Sequence, residues 1–291
     1  NGVARRALDL IGRLRVVLFL PEDVSLVAGS PSERRRYLDI ALCQMDPAYC
    51  RALAEYGKLL AQRNALLKRL RDEGGDTGQL AFWDTGLAEQ GALLLIRRAA
   101  AVRRLSELAA LRHRELTGGA ERLRLTYLPS PDPARLRVAH AADADHLLNY
   151  AEATVAALAE RLTAQLRATR TRDIGAGTSL TGPHRDDMAF MVEGHDLRAF
   201  GSRGQQRTGA LALKLAEVEM MREETGENPL LLLDDVMSEL DAVRRHALLD
   251  ALAGVDQALV TTTDWADFTP ELLQGARRLH VEGGRVKGEA E

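Results

Sequence analysis

Two adjacent carboxylates, Asp234 and Asp235, follow directly on the four leucines at 230–233. A short apolar run with neither helical nor alternating period suits a strand buried on both faces of a parallel sheet. Open α/β sheets place their ligands at the carboxyl ends of such strands. Two hard oxygen donors there can divide the work: one holds Mg²⁺ through water, and the other orients or deprotonates an attacking water. The plainer alternative is that the pair ends the strand and caps the next helix. A second candidate is Gly201-Ser202-Arg203-Gly204-Gln205-Gln206-Arg207, just ahead of a helix expected over 208–224. A helix start offers free N–H groups and the positive end of the dipole. Gly204 lets an anion approach the backbone and Ser202 adds a hydroxyl, which together make a phosphate receptor. A serine cap with a turn glycine reads the same residues without a ligand. The third is Ser238-Glu239-Leu240-Asp241, which by itself is a capping box with Ser238 as the cap.

The elements that must position these groups fall into three stretches. Residues 15–20 read as a buried strand stopped by Pro21, followed by a short apolar piece over 24–27 and a helix that starts at Ser32. Arg34, Arg35 and Arg36 form a basic run there: either a solvated face or a contact to phosphate or carboxylate. Helical periodicity covers 47–71, where Arg63 breaks an apolar stripe, then 79–116 and 143–171. The 79–116 helix alone reaches about 50–60 Å, and helices of this length pack as an antiparallel, coiled-coil-like arm. Arg97, Arg98, Arg103, Arg104, Arg112 and Arg114 give it a basic group that can follow a DNA backbone or lie solvated. A possible strand over 121–128 interrupts the arm. Residues 173–179 read as a hinge-like linker. α/β character then returns, with a strand over 188–192, a helix over 239–253, a buried strand over 258–263 and a hairpin around Gly283-Gly284.

Composition sets the limits. With 291 residues, 28% charged and 46% hydrophobic, the chain is an ordinary globular protein of one or two domains. A net charge of −3 gives no global basic field, and 4% aromatics argue against extended base-stacking platforms. No apolar run approaches a membrane span. Cys43 and Cys50 have neither metal spacing nor a disulfide framework, which fits a reducing cytoplasm. The four lysines are Lys58, Lys68, Lys214 and Lys287, and none completes the G-x-x-x-x-G-K-[ST] phosphate loop. The sequence opens at Asn1-Gly2 without methionine, so a missing front is expected.

The ordered triple carries a resemblance that no single piece does. Ser202-x-Gly204-Gln205 resembles the signature motif of ABC-type ATPases, residues 230–235 their Walker B strand, and 238–241 their D-loop. Within that superfamily the chain is similar to the RecF family, bacterial recombination mediators related to SMC heads. Segments that resemble RecF, in order, are Phe19-Leu20-Pro21-Glu22-Asp23, Gly29-Ser30-Pro31-Ser32-Glu33-Arg34-Arg35, Gln62-Arg63-Asn64, Gly182-Pro183-His184-Arg185-Asp186-Asp187 and Thr261-Thr262-Thr263-Asp264.

The resemblance implies an α/β, P-loop NTPase head of ABC type, incomplete at its N-terminus, with an inserted long-helix, coiled-coil-like domain. Residues 1–31 would be the rest of the first lobe, 32–172 the helical insertion, and 173–291 the half with signature, Walker B and D-loop. Asp234 would hold Mg²⁺ through water. Asp235 would be the catalytic carboxylate, where most ABC relatives have glutamate. Ser202, Gly204 and Gln205 would contact the γ-phosphate bound to a second subunit. Ser238 and Asp241 would form the D-loop, with Asp241 crossing the dimer interface, and Thr262 and Thr263 would occupy the switch position. The implied cofactors are ATP and Mg²⁺. The implied partners are DNA, at single-strand gaps and as duplex, RecO and RecR, and a second copy of the chain in an ATP-dependent homodimer, with no membrane. The implied function is recombinase loading in repair and replication restart, with weak DNA-dependent ATPase activity. Without the phosphate loop the 291 residues by themselves are expected to be inactive. A structural SMC-like head without turnover and a transporter nucleotide-binding subunit are the alternatives.

Overall fold

The computed structural model describes residues 11–130, 150, 153–237 and 240–288. Strand β1 (Val16–Phe19) leads through a single 3₁₀ turn, where Pro21 ends the strand, into the short helix α1 (Ser25–Ala28). The apolar piece at 24–27 is therefore largely helical. Helix α2 (Pro31–Met45) follows, with Ser30 as its N-cap instead of Ser32 and a Ser30–Glu33 capping box. Proline at the first helical position fixes that start one residue early. Helices α3 (Pro47–Glu73) and α4 (Leu80–Leu116) match the periodic stretches closely. Strand β2 (Leu123–Leu128) precedes α5 (Val155–Ala176), β3 (Asp187–Val192), β4 (His195–Asp196) and the one-turn α6 (Leu197–Phe200). The first part of the helix expected over 143–171 lies outside the described residues. Helix α7 (Arg203–Thr225), β5 (Leu230–Asp234), α8 (Ala242–Ala253), β6 (Ala258–Thr261), α9 (Pro270–Gly275) and the hairpin β7 (Leu279–Glu282)–β8 (Arg285–Gly288) complete the order.

The leucine strand lies in the middle of a parallel sheet of order β1-β5-β6, with Val17 opposite Leu231, Phe19 opposite Leu233, and Asp234 opposite Thr261. Val17, Phe19, Leu231 and Leu233 are at most 1% exposed, whereas Leu18 is 40% and Leu259 55% exposed. Burial on both faces is thus corrected: among the described residues the strand alternates, because helices such as α7 cover one face only. The buried strand expected over 258–263 is likewise a shorter, exposed edge ending at Thr261.

Helix α4 packs against α3 and α5 and also against α7 and the antiparallel sheet β2-β3-β4. Leu94, Leu105, Leu123, Phe190, Leu213 and Leu231 accordingly belong to one continuous core.

Buried ion pairs tie the helices to the loops. Arg63, which interrupts the apolar stripe, is fully buried; its Nε donates to Asp84 at 2.8 Å, and its Nη1 donates to Asp173 at 2.8 Å and to Ser179 Oγ at 2.7 Å. Asp173 and Ser179 are themselves 0% exposed, and α5 runs through Asp173 to Ala176. The linker expected over 173–179 is therefore a buried anchor. The basic run resolves the same way. Arg34 makes a two-point contact with Asp187 at 2.6 and 3.1 Å, and Arg35 donates to the Asp186 carbonyl at 2.6 Å. On α4, Arg98 is buried against Asp39 and Asp186, Arg97 pairs with Asp46, Arg104 with Glu223 and Glu107, and Arg112 with Glu219 and Glu115. Carboxylates thus engage four of the six arginines that could have followed a DNA backbone. Gly182 has φ +136°, and a Cβ there would sit 2.5 Å from Tyr56 Oη, so only glycine lets the 182–187 segment pass over α3.

Candidate functional site

The carboxyl end of β5 carries the first cluster. Asp234 is exposed there, and Asp235 adopts φ +48°, a left-handed conformation that aspartate tolerates better than most residues. This residue turns the chain sharply off the sheet. Thr261, paired with Asp234 across the parallel ladder, donates from Oγ1 to Asp234 Oδ1 at 2.7 Å and accepts from Asp235 N at 3.0 Å. Thr262 instead closes a local turn, donating to the Asp264 carbonyl at 2.9 Å and accepting from Asp264 N at 3.2 Å, and Thr263 is exposed. The threonine that braces the acidic pair is therefore one position ahead of the two singled out from the sequence. Strand register decides which threonine of Thr261-Thr262-Thr263 faces β5, and register is not written in three identical residues.

The second cluster lies at the start of α7. Ser202 is the N-cap: its Oγ accepts from Gln205 N at 3.2 Å, and its own N–H donates to Gln205 Oε1 at 2.9 Å. The helix begins at Arg203, earlier than expected, and Ser202, Arg203 and Gly204 are all exposed. A Cβ at Gly204 would meet nothing nearer than 3.9 Å, so packing within the subunit does not require glycine there. The N–H groups of Arg203 and Gly204 belong to the first turn and have no partner within their own helix. Gln205 faces the other way, with Nε2 donating to Glu121 at 2.7 Å.

The segment at Asp241 meets this cluster from the same subunit. Asp241, not Ser238, is the N-cap of α8, accepting from Arg244 N at 3.0 Å. The helix consequently starts three residues later than the 239–253 expectation, and Ser238 lies outside the described residues. Aspartate and serine are comparable caps, so sequence alone did not rank them. The Arg244 guanidinium binds the Asp241 carboxylate and donates to Thr208 Oγ1 at 2.9 Å and to the Gly204 carbonyl at 3.3 Å. No motif marks Arg244, yet it joins the start of α8 to the start of α7.

The donors present suit Mg²⁺ bound by one carboxylate together with water and phosphate oxygens, the usual arrangement in nucleotide sites. Asp234 keeps an exposed carboxylate at the strand end, and among the described residues there is no cluster of three or more His, Cys, Asp or Glu that would make an all-protein metal cage.

Comparison with known proteins bears on this geometry. No family model matches the chain. The DNA replication and repair protein RecF of Chloroflexus aurantiacus is 47% identical over 286 residues, covering 97% of this chain and 69% of the relative. RecF of Symbiobacterium thermophilum is 47% identical over 288 residues, covering 98% and 72%. The chain belongs to the RecF family. A solved structure of the recombination mediator protein RecF-ATPrS in the RecFOR pathway superposes with TM-score 0.83 at 32% identity, over 99% of this chain and 71% of that one. RecF-ATP superposes at 0.81. These RecF structures establish the ABC-type P-loop fold for the described sheet and its helices. No helix among the described residues is long and apolar enough to cross a membrane.

Proposed function

We propose that this RecF-family chain is a recombination mediator that binds ATP in a site shared between two copies. In this reading Asp234 holds Mg²⁺ through water, and Asp235 orients or deprotonates the attacking water. The Ser202 hydroxyl and the Arg203 and Gly204 N–H groups grip the γ-phosphate of nucleotide held by the partner. Asp241 lies at the contact between the copies. Bound Mg²⁺ would neutralise charge on the β- and γ-phosphates. The copies close on DNA at gaps and, with RecO and RecR, promote recombinase loading. The observation that carries this reading is the outward-facing start of α7: an exposed serine cap beside a glycine that the subunit itself does not need. The relatives named RecF-ATP and RecF-ATPrS support nucleotide as the ligand.

Nucleotide affinity in each copy requires the glycine–lysine cradle of a phosphate loop, which these 291 residues lack. MgATP titrated calorimetrically into the 291-residue chain is therefore expected to give no tight binding. The full-length protein is expected to dimerise with MgATP in sedimentation velocity, and Ser202→Arg is expected to remain monomeric while still binding nucleotide. Unchanged dimerisation of that variant would contradict the shared site.

A further inference from the structure

Glu121, which no motif marks, holds the signature serine in place from behind. It sits in the turn between α4 and β2, where Gly118 and Gly119 take φ +62° and +83° and Gly119 N donates to the Arg114 carbonyl at 2.8 Å. The next residue is tied down as well, with Arg122 N donating to Glu193 Oε1 at 2.9 Å. From this fixed position Glu121 Oε1 accepts from Gln205 Nε2 at 2.7 Å. Gln205 Oε1 in turn accepts from Ser202 N at 2.9 Å. A primary amide has one acceptor end and one donor end. With Ser202 N at the first and a carboxylate at the second, the amide cannot turn over without losing both bonds. Ser202 Oγ, accepting from Gln205 N, keeps its own proton to donate outward.

His113 closes the other side of Glu121. The ring is fully buried, and its Nε2 lies 3.8 Å from Glu121 Oε2. Burial lowers its pKa, with Glu121 opposing. A neutral ring at that distance does not draw the carboxylate away from Gln205.

We propose that Glu121 is a positioning residue for the shared phosphate site: it locks Gln205, and through Gln205 it fixes the Ser202 hydroxyl and N–H that meet the partner's nucleotide. The inference rests on the composite-site reading above. It also connects the site to α4, whose 37 residues extend roughly 55 Å away from Glu121. Movement of the helical segment would then be transmitted to the signature serine through one carboxylate.

The test uses full-length protein, with sedimentation velocity across an MgATP titration and calorimetry for nucleotide binding by the monomer. Gln205→Glu sets two carboxylates against each other and is expected to weaken ATP-dependent dimerisation on the order of tenfold. Adding Glu121→Gln returns one donor and one acceptor to the contact with its polarity reversed, and dimerisation is expected to recover to within about threefold. Glu121→Ala is expected to weaken dimerisation while monomer nucleotide affinity and melting temperature stay close to those of the unsubstituted protein. A double variant no better than Gln205→Glu, or a Glu121→Ala variant that dimerises normally, overturns the inference. Failure of the unsubstituted protein to dimerise overturns the composite site, and this inference with it.

Discussion

Thr261 Oγ1 and Asp234 Oδ1 are 2.7 Å apart, and the same hydroxyl accepts the N–H of Asp235. One side chain on the neighbouring strand thus sets both the direction of the Asp234 carboxylate and the turn that presents Asp235. Thr261→Val keeps the shape and removes the hydroxyl. The substitution removes both hydrogen bonds at an exposed strand end, where water can replace them for stability but not hold the carboxylate in one direction. Turnover in full-length protein, measured as phosphate release at saturating MgATP, is expected to fall roughly tenfold or more. Unfolding by urea is expected to change little. Unchanged turnover would show that Asp234 needs no brace.

Arg63 joins three elements at a point closed to water. Its partners Asp84 and Asp173 are as buried as it is. Arg63→Ala leaves Asp84 with Arg170, at 2.7 Å, but leaves buried Asp173 without its cation, held by the Leu180 N–H at 3.1 Å and the Thr169 hydroxyl at 3.5 Å. Removing one member of a buried pair costs about 3–5 kcal/mol. Chemical denaturation of the full-length protein is expected to show a loss of unfolding free energy of that size, and a loss under about 1 kcal/mol would mean that water reaches the site.

His184 bridges α3 and the segment ahead of β3: its Nδ1 accepts from Tyr56 Oη at 2.7 Å and its Nε2 donates to the Ser179 carbonyl at 3.0 Å. This tautomer is neutral. Burial lowers the pKa to about 4, chiefly by desolvation. A histidine depressed in the folded state binds its proton first in the unfolded state. Its contribution is therefore fully present above the unfolded value near 6.5 and is lost as the pH falls toward 4. The loss amounts to at most about 3 kcal/mol. Denaturation midpoints between pH 7 and 4 are expected to fall in the parent and to flatten in His184→Gln. Parallel profiles would contradict the assignment.

The residues that were easy to read from sequence differ in kind from those that were not. The acidic pair, the serine cap and the long helices were legible because local pattern fixes them: an apolar run ending in charge, a cap residue, a helical period. Thr261 was missed because its role depends on strand register, and Arg244 and Glu121 because they act across 36 and 84 residues of chain. The polar stretch 173–179 looked like a linker because the cation that buries Asp173, Arg63, lies 110 residues away. The leucine strand looked buried on both faces because four identical apolar residues hide the alternation that the sheet imposes. Ser238 and Asp241 are comparable caps by residue type, and only the tertiary setting selects Asp241.

The sharing of one site between two copies is tested most directly by mixing two inactive full-length variants. Ser202→Arg removes the proposed phosphate grip, and Asp235→Asn removes the proposed catalytic carboxylate. A mixed dimer holds one site with both defects and one site with neither. Only a mixed dimer holds an intact site, so turnover of a one-to-one mixture is expected to rise clearly above that of either variant alone, up to roughly half the unsubstituted rate if every dimer is mixed. If Ser202 and Asp235 served nucleotide within the same subunit, every site would carry a defect and the mixture would stay as inactive as its components.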